Sequence, residues 1–168
     1  MVTQPQLAVF ATSAKRLQSR SVHGTDFHFV LVKPEHYFGI ARHWVTKQES
    51  ADVSDLERTV IDGLRQPEYC GGVADVAKGL WIRHQDMKAT KLVDYALRMA
   101  NGAVIRRLGY LLELFAIAPE SERARLRDAL SETYAPLDPL LPKEGPHLRR
   151  WRLQLNITAQ ELESNRAS

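Results

Sequence analysis

The stretch Asn101–Phe115, NGAVIRRLGYLLELF, sets two adjacent arginines inside a run of valine, isoleucine, leucine and phenylalanine that otherwise reads as a buried helix. At about 100° per residue, Val104, Ile105, Leu108, Leu111, Leu112 and Phe115 occupy one broad arc, while Arg106, Tyr110 and Glu113 share the opposite polar stripe. This pattern predicts that Arg106 faces water or a partner. Arg107 falls beside Leu114 at the edge of the apolar arc, which predicts a covered stem and a structural salt bridge, with Asp62 the candidate acid. Gly109 leaves room for a close approach on the other margin of the arc.

On the N-terminal side of this helix, the same 3.6-residue grammar begins at Ser54. Ser54 and Glu57 form an S-x-x-E capping box, and Leu56, Val60, Ile61 and Leu64 then make one apolar stripe that ends at Gln66-Pro67. A second helix is predicted from Val73 to His84. A third is predicted from a Thr90 cap, through Leu92, Val93, Ala96 and Met99, to a stop at Asn101-Gly102. Before Ser54 the period is two: Leu7–Thr12 and Thr25–Val32 read as strands flanking a basic, serine-rich connection. Tyr37–Val45 reads as a third strand with Gly39 as a bend or bulge, and Ala51–Val53 as an extended approach to the first helix.

Beyond Phe115, Pro119 opens a fifth, heavily charged helix with Leu126, Ala129 and Leu130 inward. Residues 131–147 contain four prolines and read as an extended crossing. Arg150–Asn156 alternates Trp151, Leu153 and Leu155 against Arg150, Arg152 and Gln154, so it is expected to return as a late strand to the N-terminal sheet. The expected fold is α+β: a small mixed or antiparallel N-terminal sheet, joined by that strand and packed with five helices. Residues 1–156 are expected to form one domain, with strands mainly in 1–53, helices in 54–130 and the returning strand in 148–156; residues 157–168 read as a flexible tail.

Composition narrows the function. The 168 residues are 44% apolar and 26% charged, enough for a core of ordinary size. No run of eighteen apolar residues and no secretory-type leader occurs, so a cytoplasmic protein without membrane partners is expected. The single cysteine, Cys70, rules out an internal disulfide and reads as a small buried side chain. No phosphate-cradling glycine motif is present, and the six histidines lack metal-ligand spacing. Asp86-Met87-Lys88 is a faint nuclease-like D-x-K match placed in a loop, and no serine sits in a nucleophile elbow. No catalytic residue, cofactor or metal is therefore expected.

Binding features are better marked. No acid precedes Asp26, and Lys15, Arg16 and Arg20 equal the formal net charge of +3. Lys15, Arg16 and Arg20 lie in a hydroxyl-rich connection that suits phosphate or an acidic protein patch, and equally a solvated loop. A second knot, His147–Arg152, adds Arg149, Arg150 and Arg152. With Arg106 these are the candidate nucleic-acid or partner contacts, and Ser54, Glu57 and Arg107 are the structural candidates. A DNA-backbone-binding accessory module is one reading of them, and a metal-dependent nuclease using Asp86 and Lys88 a weaker one. Trp44, Trp81 and Trp151 each lie in an apolar pattern and read as core rather than as stacking platforms.

Five segments in order, TQPQLAVFAT (Thr3–Thr12), FHFVLVKPEHYFG (Phe27–Gly39), VSDLERTVIDGLRQPEYCGG (Val53–Gly72), VIRRLGYLLEL (Val104–Leu114) and WRLQLN (Trp151–Asn156), resemble the C-terminal domain of AbiEi-type antitoxins. The resemblance implies a regulator without catalytic activity, from a type IV toxin–antitoxin system of phage defence, that counteracts a nucleotidyltransferase-like toxin without needing to touch it. Members carry a winged helix-turn-helix ahead of this domain that binds operator DNA and represses the operon. The matching blocks start close to Met1, so the expectation is a chain that lacks this DNA reader.

Overall fold

In the computed structural model of the chain, residues 7–44 and 46–166 are described. Val45, the expected end of the third strand, and residues 3–6 of the first family-like segment lie outside them. The fold is α+β, and its contacts divide the chain into two units, Met1–Phe38 and Gly39–Ser168.

In the first unit, β1 (Leu7–Ser13), β2 (Arg20–Val22) and β3 (Thr25–Leu31) form one sheet in the order β1-β3-β2. The basic connection is thus not all loop. Its end doubles back onto β3 through His23 and Gly24, whose φ angles of 49° and 78° are the paired left-handed values that tight two-residue hairpins require. With β2 on one edge of β3, β1 takes the other and runs parallel to it, from Leu7 opposite Thr25 to Ser13 opposite Leu31.

The second unit opens with an antiparallel ribbon, β4 (Ile40–Trp44) and β5 (Ser50–Ser54). Gly39 precedes the ribbon rather than bending it: with φ 68°, a Cβ there would lie 2.8 Å from side-chain atoms of both Arg58 and Tyr95. Trp44, expected in the core, is 60% exposed on this two-stranded ribbon.

Helix α1 (Leu56–Arg65) is capped by Asp55, not by Ser54: Asp55 Oδ1 accepts the Arg58 N–H at 2.8 Å. Ser54 Oγ instead lies 2.9 Å from Thr59 Oγ1, and Glu57 reaches another helix. Aspartate and serine cap almost equally well, and Ser54-Asp55 offers both one residue apart. Helix α2 (Val73–Arg83) follows, then α3 (Ala89–Met99), which starts one residue ahead of the expected Thr90 cap. Ala100, at φ 51°, ends α3, and Asn101 begins the next helix rather than stopping the last. Its Oδ1 accepts the Ala103 and Val104 N–H groups at 3.0 and 3.1 Å, opening α4 (Gly102–Leu114). Helix α5 (Glu120–Asp128) follows Pro119, with Leu126 its buried residue.

The C-terminal part departs most from expectation. Residues 131–147 are no bare crossing, since they contribute β6 (Ala135–Pro136) and the start of β7 (His147–Leu148). The late strand is β8 (Leu153–Gln154); it pairs parallel to β6 and antiparallel to β7, and does not return to the N-terminal sheet. Arg152, at φ 51°, breaks the alternation immediately before β8. The tail expected to fray forms α6 (Ala159–Ser164), opened by a complete Thr158–Glu161 capping box and seated by Leu162, which is 1% exposed.

Helix α4 lies at the centre of the second unit. All six residues of its predicted apolar arc are buried, together with Leu64, Leu80, Leu92, Leu126, Leu137, Trp151 and Leu153 from elsewhere in the unit. Gly109 lies directly under the Trp151 indole, and a Cβ there would overlap the ring. The Trp151 Nε1–H donates to Glu113 Oε2 at 3.0 Å, so positions one turn apart on α4 fix the indole. Gly109→Ala is accordingly expected to destabilise the protein by at least about 2 kcal/mol through overpacking, despite alanine's better helix propensity. Equilibrium denaturation with Trp151 fluorescence measures this, and a neutral or stabilising result would contradict the packing.

Candidate functional site

The helical unit contains two polar assemblies, both built by long-range contacts. The first surrounds α4. Arg106, expected to face solvent, is only 2% exposed: its Nη2 donates to Ser131 O, Ser131 Oγ, Thr133 O and Thr133 Oγ1 at 2.7–3.1 Å. A helical wheel assigns sides by residue type and cannot see that a later segment with free carbonyls covers the polar stripe. Tyr110, on the same stripe, is also buried, and Glu113 is half-buried. Arg107 is covered as expected, but its partners are carbonyls rather than Asp62. Its Nε donates to Leu137 O at 2.9 Å, Nη1 to Leu64 O at 2.7 Å and Nη2 to Pro136 O at 3.3 Å. Asp62 is held instead by Arg58 Nε at 2.8 Å. Burial lowers the pKa of both guanidiniums; neighbouring Arg152 adds to the effect on Arg106, and Asp138 and Glu68 oppose it on Arg107.

Around this pair the backbone is fastened by Asp138 and Asn156, neither of which the sequence marked. Asp138 Oδ2 accepts the Val73 N–H at 2.8 Å, capping α2 from 65 residues away, and Oδ1 accepts the Leu140 N–H. The Asn156 amide bonds both the N–H and the carbonyl of Asp138 at 2.9 and 2.7 Å, and also reaches Pro142 O at 3.1 Å. Apart from the Leu140 N–H, these partners lie 14–65 residues away in sequence, so no local motif could have announced the assembly.

The second assembly joins α1 and α3. Glu57 Oε1 accepts the Lys88 N–H at 3.0 Å, and its Oε2 takes the Lys91 ammonium at 3.1 Å. Lys91 also pairs with Asp55 Oδ2 at 3.1 Å, to which the Tyr95 hydroxyl donates at 2.9 Å. Glu57 is structural, as expected, but through this contact rather than through a capping box with Ser54. Burial alone would raise its pKa, but the Lys88 N–H, its own N–H and Lys91 outweigh that and hold it below 4.5. Burial would likewise depress Lys91, whose bonds to Glu57 and Asp55 overcome it and push the pKa up to about 12.

Of the other predicted contacts, Lys15, Arg16 and Arg20 are exposed in the first unit. Arg20 spreads over the Phe29 ring at 5.7 Å and lines a shallow cleft of about 270 Å³ with Ser19, Ser21, Asp26, Phe27 and His28. The C-terminal arginines belong to the other unit and are largely engaged in it. Arg150 pairs with Glu113 at 2.9 Å, and Arg152 donates to Glu132 O at 3.1 Å with its guanidinium over Tyr134, while Arg149 is exposed. Asp86 pairs with Arg83 at 2.8 Å on an exposed turn. Trp81 is half-buried against Phe115 and beneath the Arg166 guanidinium, and Trp151 alone of the three tryptophans is fully buried. Cys70 is exposed at the Gly71-Gly72 corner, not buried; its thiol pKa is raised by partial desolvation and by Asp62, Asp75 and Glu68, which keeps it from acting as a ready thiolate.

Among the described residues, no group of three or more histidine, cysteine, aspartate or glutamate side chains is arranged to hold a metal ion, and no helix is long and apolar enough to cross a membrane. Comparison with models of known protein families, with curated proteins and with solved structures found no match.

Two outcomes follow from these assemblies. Arg107→Met leaves three buried carbonyls without their donor and is expected to cost about 2–4 kcal/mol, with Arg107→Lys giving little recovery because an ammonium cannot span three diverging acceptors. Chemical denaturation checks this; lysine restoring wild-type stability would refute the fork. For Glu57 the folded pKa is depressed, so its contribution is present above the unfolded value of about 4.5 and is lost as pH falls through the folded one. Glu57→Gln should therefore lower stability by about 1–3 kcal/mol at neutral pH and flatten the acid limb of stability against pH. An unchanged acid limb would show that the carboxylate is not held as described.

Proposed function

We propose that this chain is an antitoxin-type regulatory domain that counteracts a nucleotidyltransferase-like toxin of a type IV system and, when joined to a winged helix-turn-helix, takes part in transcriptional autorepression. The observation that carries this reading is the division of labour in the molecule. In the helical unit, Arg106, Arg107, Glu57, Asp138 and Asn156 are tied up in internal bonds, so the polar residues that first suggest chemistry hold the scaffold together. The N-terminal sheet instead exposes apolar and basic side chains together: Val9, Phe10, Leu17, Val22 and Leu31 are 36–51% exposed beside Lys15, Arg16 and Arg20. Such a surface fits a macromolecular partner better than a small substrate, which would need a deep pocket with convergent polar groups. The ordered family-like segments give the kind of partner.

The DNA-backbone reading draws less support. Of the six cations it would use, Lys15, Arg16, Arg20, Arg149, Arg150 and Arg152, Arg150 and Arg152 are bonded internally. Co-expression of residues 1–168 with a nucleotidyltransferase-like toxin of such a system is expected to restore growth. Continued toxicity in cells that contain the chain in soluble form would overturn the reading.

A further inference from the structure

Arg106 ties itself into the fold through one nitrogen only. Its Nη2 makes all four bonds to Ser131 and Thr133, whereas Nε is buried without an acceptor and Nη1 has none among the described residues. A buried N–H is normally met by protein, water or an ion. The unbonded Nη1 reaches back one turn to the start of α4: a Cβ at Gly102, the first residue of the helix, would lie 2.5 Å from it. Gly102 itself is exposed. Asn101 takes the other early N–H groups of the helix, Ala103 and Val104 through Oδ1 and Ile105 through its carbonyl, which leaves the Gly102 N–H beside Nη1 without an acceptor among the described residues.

Charge at this point is unbalanced as well. The acceptors of Arg106 are carbonyls and hydroxyls, the cap of α4 is a neutral asparagine, and its first turn holds no acid. Arg152 adds a second positive charge nearby, which together with burial lowers the Arg106 pKa, and the helix dipole places further partial positive charge at the same end. A water molecule would satisfy the two N–H groups and leave this charge in place; an anion answers both. We propose that the start of α4 binds a small tetrahedral oxyanion of the phosphate class, which accepts from the Gly102 N–H and from Arg106 Nη1. Arg106 is 2% exposed, so the site takes a free ion or the terminal phosphate of a monoester and is too recessed for the flanked phosphates of a nucleic-acid backbone. The bound ion would join the start of α4 to the Ser131–Thr133 segment through a single guanidinium.

Heteronuclear NMR of the whole chain, titrated with inorganic phosphate against chloride at matched ionic strength, tests this. The Gly102 amide is expected to shift saturably in the millimolar range of phosphate and not with chloride. Arg106→Gln would also break the bonds to Ser131 and Thr133, so Gly102→Ala is the informative variant: it sets a methyl against Nη1 on an exposed helix start and leaves the Nη2 bonds alone. Gly102→Ala should weaken phosphate binding about tenfold or more while the rest of the spectrum stays native. A wild type with no saturable shift at residue 102, an equal response to chloride, or undiminished binding by Gly102→Ala would each overturn the proposal. A parallel titration with a nucleoside 5′-monophosphate separates the sources: the same shifts admit a terminal phosphate monoester, and their absence restricts the site to the free ion.

Discussion

The helical unit depends on one guanidinium. Arg107 projects from the middle of α4 and donates to Leu64 O, Pro136 O and Leu137 O, joining the end of α1 to a segment thirty residues further along the chain. No carboxylate faces it in a direct bond, which would ordinarily make a 4% exposed cation very costly. The compensation comes from the backbone. Leu64 is in the last turn of α1, where carbonyls lack intrahelical donors and the helix dipole places partial negative charge. Pro136 ends β6, the edge strand of a three-stranded sheet, and Leu137 follows it, where carbonyls also need donors. A planar, delocalised cation with diverging N–H groups answers three such acceptors at once, and no other side chain has that geometry.

The same logic recurs at the starts of two helices that lack a side-chain cap of their own. Helix α2 starts at Gly72-Val73 with no side chain of its own to cap it, and Asp138 arrives from beyond α5 to do so. Helix α3 starts at Lys88, whose N–H is met by Glu57 of α1. Acids at helix N-termini are favoured by the dipole as well as by the bond, so each contact both orients and stabilises the start. These links also explain how β6, β7 and β8 persist at two residues each. Their ladders are too short to hold by themselves; Arg107, Asp138 and Asn156 fix the surrounding backbone so that the short pairings need close little further freedom.

What could be read in the sequence was what repeats locally. The apolar stripes of α1 to α4 follow one face at 3.6-residue spacing, and Val60, Ile61, Leu64, Leu80, Leu92, Leu108 and Leu112 are all buried where that spacing places them. What could not be read was set by partners far along the chain. Arg106 looked exposed because nothing near it in sequence could cover it, and the carbonyls that do are those of Ser131 and Thr133. The parallel pairing of β1 with β3 turned on whether Arg20–Val22 would fold back, and His23-Gly24 was the local signal for that. Helix α6 was missed, the segment being read as a flexible tail, although Thr158 and Glu161 are a capping box of the kind assigned to Ser54 and Glu57, with Leu162 directly behind. At Ser54 the pattern was present without the geometry, because Asp55 competes for the same N–H groups and leaves Glu57 free to serve α3.

The distribution of charge follows from these constraints and bears on where the molecule can change. In the first unit four cations, Lys15, Arg16, Arg20 and Lys33, stand against Asp26 and Glu35, so this short unit holds +2 of the chain's net +3. The larger unit is almost neutral because its bases and acids are matched to one another or to backbone, as in Arg58–Asp62, Lys91–Glu57, Arg125–Asp94 and Arg150–Glu113. Changing one member of a buried set strands its partner and disturbs the fold, whereas changing an exposed side chain of the N-terminal sheet costs stability little. Substitution at exposed positions such as Lys15, Arg16 and Arg20 is therefore expected to cost little stability, and variation in the helical unit is constrained by the polar bonds that carry its architecture.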